Sequence, residues 1–190
     1  MFRTEKKVIV FDFDGVLVDS NTIKYKEFSN IFKIDIDDAR LNQIILSGKD
    51  RHDIIYKIHK EIYQRDGGTL NLDVFIKKYT DNVHAKILEV GIKESIIIFL
   101  RNNDKSMFIN SATPKIELQL LCDDLHISNF FLKILGTPQT KEENFKYIFN
   151  EYNIKPSQIM FFGDMKSDKD AAKRVGVEFS PIFSQGSNLL

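Results

Sequence analysis

The chain has 190 residues, which is enough for one substantial core with a small additional module. Hydrophobic residues make up 43% and charged residues 28%, a composition typical of a globular protein that excludes a disordered, fibrous or membrane-embedded one. The 27 basic residues balance the 27 acidic ones, so no overall charge favours binding to nucleic acid or to an anionic membrane.

The first apolar run, Val8 to Phe11, is too short to be the core of a signal peptide, and Ile96 to Leu100 is too short to span a bilayer. We therefore expect a soluble, cytoplasmic protein. Cys122 is the single cysteine, so an internal disulfide is excluded. It lies among leucines at helical spacing, which favours a buried apolar role.

Short apolar runs with the length of buried parallel strands alternate with helical patterns along most of the chain. The predicted strands are, in order, Val8 to Phe11, Met107 to Ile109, Phe131 to Leu135, Ile159 to Phe162 and Val177 to Ile182. This alternation predicts an α/β fold with a doubly wound, Rossmann-like parallel sheet of about five strands. Ligands of such sheets bind beyond the carboxyl ends of the strands.

After the second strand, Thr113 is predicted to cap a helix that has Pro114 at its first position. Ile116, Leu120 and Leu121 are predicted to be the buried stripe of that helix.

The stretch from about Asn21 to Lys93 shows helical stripes and no strand pattern. The stripes are Tyr25, Phe28 and Phe32, then Ile54, Ile55, Ile58 and Ile62, then Leu72, Ile76, Tyr79, Val83 and Ile87. We expect residues 1–19 and 94–190 to form an α/β core, and residues 20–93 to form an all-helical cap inserted after the first strand.

Two carboxylates, Asp12 and Asp14, follow the first strand directly, and Gly15 allows a sharp turn after them. Each would cost several kcal/mol to bury uncompensated, so a cation is expected beside them. Mg²⁺ held by one or two carboxylates together with a substrate phosphate meets that need. The alternative is that both acids merely cap a loop.

Polar residues also follow three later strands. Ser111 and the backbone amide of Ala112 precede a predicted helix, which suits an anion. Asp164 ends the fourth predicted strand, and Asp168 follows in the first turn of the next helix. Asp168 could instead interact only with the helix dipole, beside a capping box of Ser167 and Asp170.

Lys141 precedes another predicted helix, Glu142 to Tyr152, after the loop that ends the third strand. Most lysines in this position are solvated. Beside a phosphate and several carboxylates, a fixed ammonium would neutralise charge on both the nucleophile and the transferred group.

The segments Phe11 to Ser20 and Gly163 to Gly176 together resemble the first and fourth motifs of the haloacid dehalogenase superfamily of phosphoryl-transfer enzymes. The likeness covers nearly the whole chain. The helical insertion is similar to the cap of the branch that contains phosphoglycolate phosphatase and β-phosphoglucomutase. Two departures from that branch concern Lys141, which lacks the proline that commonly follows it, and Lys24, which stands where histidine is common.

The resemblance implies a role for each matching residue. It makes Asp12 the nucleophile and Asp14 the general acid and base. It also implies Mg²⁺ bound by the Asp12 carboxylate, the Asp14 backbone carbonyl and Asp164. Ser111, Ala112 and Lys141 would hold the phosphoryl group, and Asp168 would order Lys141 or the water molecules on the metal.

The implied activity is a Mg²⁺-dependent phosphatase that acts on a small phosphorylated metabolite, such as a sugar phosphate or a phosphoglycolate-like compound, through an aspartyl phosphate. We expect a monomer or a small homo-oligomer that binds neither nucleic acid nor membrane. A dehalogenase would need neither Asp14 nor a dication.

Two alternatives remain open. A β-phosphoglucomutase-like sugar phosphomutase is suggested by Lys49 and Arg51, which resemble the cap loop that grips a distal phosphate, although both could be surface charges. The spacing of Asp164 and Asp168 resembles the phosphatases more. The other alternative is a non-catalytic phosphoacceptor or binding module, because receiver domains also use a strand-end aspartate, a metal and a lysine.

Overall fold

The computed structural model describes residues 5–48, 50–63 and 71–182. The chain divides into two compact units. One, which we call the sheet unit, consists of Met1–Ser20 and Val90–Leu190, and the other, the helical unit, consists of Asn21–Glu89.

The sheet unit is built on five parallel strands in the order β3-β2-β1-β4-β5. They are β1 (Val8–Phe11), β2 (Ser106–Pro114), β3 (Lys133–Thr137), β4 (Ile159–Gly163) and β5 (Glu178–Pro181). The predicted α/β sheet is confirmed. The strand order reverses at β1, which has β2 on one side and β4 on the other, so a crevice is expected at the carboxyl end of β1.

The strands differ from their predicted bounds mainly at the carboxyl ends. The apolar pattern of the second strand stops at Ile109, yet β2 continues to Pro114. Its register against β3 shifts between Asn110 and Pro114, so polar residues follow the apolar run within an irregular strand. Irregularities of this kind redirect side chains and are common beside active sites.

The helical unit contains α1 (Asn21–Phe32), α2 (Ala39–Ser47), α3 (Arg51–Ile58) and most of α4 (Leu72–Val90). A π-helical turn, His59–Tyr63, continues α3. Phe28 stacks on Tyr79 and Phe32 on Phe75, with ring centroids 4.5 and 4.2 Å apart, so two aromatic pairs join α1 to α4. The predicted stripes are mostly buried, but Tyr25, Leu72 and Ile76 are half-buried and Phe75 is buried in their place.

The remaining helices of the sheet unit are α5 (Glu94–Arg101), α6 (Lys115–Asp124), α7 (Lys141–Glu151) and α8 (Lys166–Val175). Crossovers between parallel strands are almost always right-handed, and with this strand order they put α5 and α6 on one face of the sheet and α7 and α8 on the other. Contacts between α7 and α8 agree with this arrangement. Phe145 of α7 meets Phe161 of β4 edge to face, with ring centroids 5.1 Å apart, in the core of that second face.

The predicted stripe of α6 is wrong for two of its three residues. Ile116 is 79% exposed and Leu120 is 51% exposed, whereas Leu121 is buried together with Leu118 and Cys122. Helix α6 begins one residue later than predicted, after Pro114, and this shift changes which side chains face the sheet. Burial raises the pKa of the Cys122 thiol to about 12, which agrees with its predicted apolar role.

None of the helices in the described part of the chain is both long and apolar enough to cross a membrane.

Candidate active site

The loop after β1 begins with Asp12, which is only 5% exposed. Its backbone N–H donates to the carbonyl of Phe162 at 2.8 Å, so the pairing of β1 with β4 continues as far as Asp12. Gly15 then adopts a φ of +72°, and its N–H donates to the carbonyl of Val18 at 2.8 Å. This positive φ favours glycine, which explains why the chain can turn back immediately after the two acids.

The Asp12 carboxylate is held from two directions. Its Oδ1 accepts a hydrogen bond from the N–H of Phe13 at 2.7 Å, and its Oδ2 lies 2.8 Å from Nζ of Lys141. A carboxylate oxygen keeps further lone pairs after one such contact, so both oxygens can still meet another group.

Lys141 lies at the first position of α7, where Thr140 and Glu143 form a capping box. The Lys141 side chain is only 11% exposed, and its Nζ also bonds Oδ1 of Asp168. The same ammonium lies over the ring of Phe161, 5.6 Å from the centroid. Lys141 therefore links Asp12, directly after β1, to Asp168 of α8.

Asp168 is fully buried, and both of its oxygens have partners. Oδ1 accepts from Lys141, and Oδ2 accepts from the N–H of Met165 at 3.0 Å. The capping box predicted for Ser167 and Asp170 is wrong, because Met165 is the N-cap of α8 and Asp168 supplies the carboxylate. Asp168 therefore caps the helix and also orients the lysine.

Gly163 makes this approach of Asp168 possible. A Cβ at position 163 would lie 2.6 Å from Cβ of Asp168 and 2.7 Å from its Oδ2, which is far inside contact distance. Only a glycine at the end of β4 lets Asp168 come this close to the strand.

Burial raises the pKa of Asp12 to about 7; the Lys141 ammonium opposes the rise, and the Asp168 and Asp14 carboxylates add to it. Burial alone would lower the pKa of Lys141, but the Asp12 and Asp168 carboxylates outweigh it and raise that pKa above its ordinary value. Lys141 thus stays charged, and one ammonium does not offset all the acids around it.

Oxygen atoms from Asp12, Asp164 and Asp168 lie within 4.8 Å of one another, one from each residue. Carboxylates are the hard oxygen ligands that Mg²⁺ prefers, and excess negative charge favours a dication, so this donor set fits Mg²⁺. Asp12 and Asp168 each have one partner on each carboxylate oxygen, and each oxygen keeps lone pairs that could bind a cation.

The side chain of Asp14 has hydroxyl partners on both oxygens. Ser20 Oγ donates to Oδ1 at 2.5 Å, and Thr113 Oγ1 donates to Oδ2 at 2.8 Å. The prediction that Thr113 caps α6 is therefore wrong: Pro114 is the N-cap, without a side-chain cap bond, and the Thr113 hydroxyl bonds Asp14 instead.

Ser111 is 1% exposed in the irregular part of β2, and its Oγ accepts from the N–H of Thr113 at 3.2 Å. Ala112, between them, is exposed. Both residues lie in the last part of β2, just beyond Ile109, which pairs with Phe11 of β1.

Sequence reasoning missed four side chains of this region: Ser20, Asn110, Thr113 as a partner of Asp14, and Asn144. Asn110 and Thr113 stand between an apolar strand and an amphipathic helix, where their polarity was a signal. No signal in the sequence marked Asn144, because a single asparagine in a helix is usually exposed.

Lys49 and Arg51 were the predicted substrate contacts of the cap. Lys49 lies outside the described residues. Arg51 begins α3 in the helical unit, where Asp50 is the N-cap and accepts from the N–H of Asp53 at 2.9 Å.

Residues 9–182 match the family model described as haloacid dehalogenase-like hydrolase. A phosphoglycolate phosphatase of Pseudomonas putida is 29% identical over 112 residues, which are 56% of this chain and 41% of that protein. The chain therefore matches less than half the length of this curated relative.

A phosphorylated carbohydrates phosphatase of Thermotoga maritima is 21% identical over 90% of this chain and 82% of its own length. Among solved structures, CbbY of Rhodobacter sphaeroides in complex with phosphate superposes with a TM-score of 0.73. It is 13% identical, and the superposition covers 97% of this chain and 89% of that one, which is a likeness of fold.

Proposed function

Because this chain belongs to the haloacid dehalogenase-like hydrolase family, we propose that it is a Mg²⁺-dependent phosphatase that hydrolyses a small phosphate monoester through an aspartyl phosphate. The sheet unit is the catalytic core in this proposal, and the helical unit is its cap. The substrate class is a small phosphorylated metabolite, either a sugar phosphate or a phosphoglycolate-like compound.

The arrangement of Asp12 carries the proposal. This buried carboxylate lies at the end of the central strand, 2.8 Å from a buried ammonium, and a second acid, Asp14, follows two residues later. Burial of a carboxylate in this setting is costly for a purely structural role, whereas it suits a nucleophile.

In the first step, an oxygen of Asp12 forms a bond to phosphorus while the bond from phosphorus to the leaving alcohol oxygen breaks. Asp14 in its protonated form gives its proton to that oxygen. Lys141, Ser111 and the N–H of Ala112 stabilise the equatorial oxygens of the transferred group.

In the second step, Asp14, now ionised, takes a proton from a water molecule that attacks phosphorus. The bond between phosphorus and Asp12 breaks, which releases phosphate and restores both acids. Ser20 and Thr113 hold Asp14 during this exchange, since each donates to one of its oxygens.

Asp12, Asp164 and the backbone carbonyl of Asp14 would hold Mg²⁺. When bound, the ion offsets negative charge on the phosphoryl group and on Asp12. Asp168 orders Lys141 and is not itself needed as a ligand.

The helical unit is proposed to select the substrate, with Lys49 and Arg51 as contacts to its distal part. This assignment comes from the resemblance of that loop, and exchange of Arg51 for methionine should change KM across substrates more than kcat.

The test is hydrolysis of p-nitrophenyl phosphate, and then of a panel of small phosphate monoesters, scored by released phosphate. Asp12→Asn should abolish turnover, because an amide cannot attack phosphorus. The matched control is Asp170→Asn, which removes a partly exposed carboxylate that pairs with Lys166 at 2.9 Å, and it should keep full activity. Turnover by the Asp12 variant would overturn the proposal.

Two other outcomes identify the rival functions. Conversion of a sugar phosphate to its positional isomer without net phosphate release would assign a phosphomutase. Stable phosphorylation without turnover on any substrate would assign a phosphoacceptor module.

A further inference from the structure

Two buried asparagines connect the helix that carries Lys141 to the strand that carries Ser111. Asn110 of β2 is 0% exposed and Asn144 of α7 is 3% exposed. Nδ2 of Asn144 donates to Oδ1 of Asn110 at 3.0 Å, and Nδ2 of Asn110 donates to the backbone carbonyl of Lys141 at 3.0 Å. The chain of contacts therefore runs from α7 to β2 and back to the first residue of α7.

The surroundings of this pair are apolar. Phe145 and Ile148 of the same helix and Phe108, two residues before Asn110 on the same strand, are all fully buried and belong to one hydrophobic cluster. An unpaired amide in such a place costs about 1–3 kcal/mol, and apolar side chains would fill the space without that risk. The two amides fix the position of α7 relative to β2, because hydrogen bonds restrict distance and angle more than apolar packing does.

The hydrogen bond from Asn110 fixes the backbone of Lys141. A lysine side chain has four rotatable methylene bonds, so the position of its ammonium depends on how firmly both ends are held. Asp12 and Asp168 hold the ammonium group of Lys141, and Asn110 holds its backbone through the carbonyl oxygen. Since β2 pairs directly with β1, this hydrogen bond fixes the Lys141 backbone relative to the strand that Asp12 follows.

We propose that Asn110 and Asn144 are positioning residues that set the distance of the Lys141 ammonium from Asp12 and from the transferred phosphoryl group. The proposal rests on the proposed function for its catalytic consequence. Neither asparagine touches the reacting atoms; both act through Lys141.

The first variants are Asn144→Ala and Asn110→Ala, and the matched control is Ile148→Val on the same buried face of α7. The control loses packing, which costs about 0.5–1.5 kcal/mol, but keeps the amide pair. We expect each asparagine variant to lower kcat/KM for p-nitrophenyl phosphate about tenfold, which corresponds to one misplaced hydrogen bond. The control should change kcat/KM less than about twofold.

A double-mutant cycle with Lys141→Met separates positioning from general support of the fold. The readout is the affinity for inorganic phosphate with Mg²⁺ present, measured by calorimetry, since it does not need turnover. Asn144→Ala should weaken phosphate binding about tenfold in the parent protein and less than about twofold in the Lys141→Met background. Equal losses in both backgrounds would overturn the proposal and leave the proposed function intact.

Hydrogen exchange gives a reading that is independent of activity. Loss of the pair should raise amide exchange in the first turn of α7 alone, whereas Ile148→Val should affect the helix evenly. If the parent protein hydrolyses no phosphate ester, the proposed function fails, and this local exchange still decides the role of the pair. Unchanged first-turn exchange in both asparagine variants would overturn that role.

Discussion

Asp14 shows how a carboxylate can be held by residues far apart in the chain. Ser20 lies six positions later on the same loop, whereas Thr113 lies 99 positions away on β2. Each hydroxyl donates to a different oxygen, so the plane of the carboxylate is fixed. An acid that must first give and then take a proton needs this control of direction.

Exchange of Thr113 for valine should lower kcat for p-nitrophenyl phosphate about tenfold, because one oxygen of Asp14 loses its donor while the side-chain shape is kept. Thr113→Ser keeps the hydroxyl and should retain most of the activity. Steady-state kinetics on both variants checks this. Equal rates for the valine and serine variants would contradict a role for the hydroxyl.

Gly163→Ala should lower kcat at least about tenfold, because the added methyl group would displace Asp168 and so release Lys141. The control is the pair Asp168→Gly and Gly163→Ala/Asp168→Gly. Glycine at position 168 lacks the Cβ and the carboxylate that the added methyl group would meet, so the double variant should be no slower than Asp168→Gly alone. A further loss in the double variant would show that Gly163 acts in another way.

The acids of the site were predictable from the sequence because Asp12, Asp14 and Asp164 follow apolar strands closely, and Asp168 lies in the first turn of the next helix. Their partners were not. The Thr113 hydroxyl could cap a helix or bond a distant carboxylate, and only the irregular end of β2 decides between the two. Asn144 is buried because α7 faces Asn110 there, a contact that helical periodicity does not reveal.

Among the helices, α1 and α4 share a buried acid that the proposed chemistry does not use. Glu27 of α1 is buried and accepts hydrogen bonds from Asn82 at 2.7 Å and from Lys86, both on α4. Burial alone would raise the pKa of Glu27, but the bonds from Lys86, Asn82 and Asn30 outweigh it and lower that pKa.

The lowered pKa has a consequence for stability. A carboxyl group that ionises more readily when folded stabilises the fold above its ordinary pKa of 4.5, and the contribution is lost as pH falls through the folded value. Glu27→Gln should therefore lower the free energy of unfolding by about 1–3 kcal/mol at pH 7. The difference from the parent should shrink as pH falls below 4.5.

Urea denaturation followed across this pH range measures the effect. The control is Asp81→Asn on α4, whose exposed pair with Lys77 should contribute less than about 1 kcal/mol. A Glu27→Gln effect that stays constant down to acidic pH would contradict the assigned role of its charge.

Helix α6 illustrates why some element features were mispredicted. Its sequence allows either Ile116 and Leu120 or Leu118, Leu121 and Cys122 to face the sheet, because apolar residues occur on both sides. The choice depends on where the chain leaves β2, and the strand extends further than its apolar run indicates. The same extension moved Thr113 out of its predicted capping position.

At the scale of the molecule, the sheet brings the ends of distant segments together. β1 is central, and its neighbours β2 and β4 end beside it in register. The alternation of strands and helices in the sequence was sufficient to predict a parallel α/β sheet, but not the order of its strands, because more than one order is compatible with right-handed crossovers. It was also sufficient to place Asp12, Asp14, Ser111 and Asp164 at the same edge.

Clustering of acids at that edge predicts a stabilising effect of Mg²⁺. Binding of the ion should raise the thermal unfolding temperature of the parent protein, because the folded state alone offers the assembled ligands. Asp164→Asn should reduce this rise strongly, and removal of Mg²⁺ by a chelator should abolish hydrolysis of p-nitrophenyl phosphate in the parent. An equal shift of unfolding temperature in both proteins would contradict the assigned ligand.

Chemical trapping of the covalent intermediate tests the central claim most directly. The protein is mixed with Mg²⁺ and substrate, quenched in acid, reduced with borohydride and mapped by peptide mass spectrometry. We predict homoserine at position 12, formed only when both substrate and Mg²⁺ are present. Turnover that leaves Asp12 unmodified, or modification of a different residue, would contradict the account.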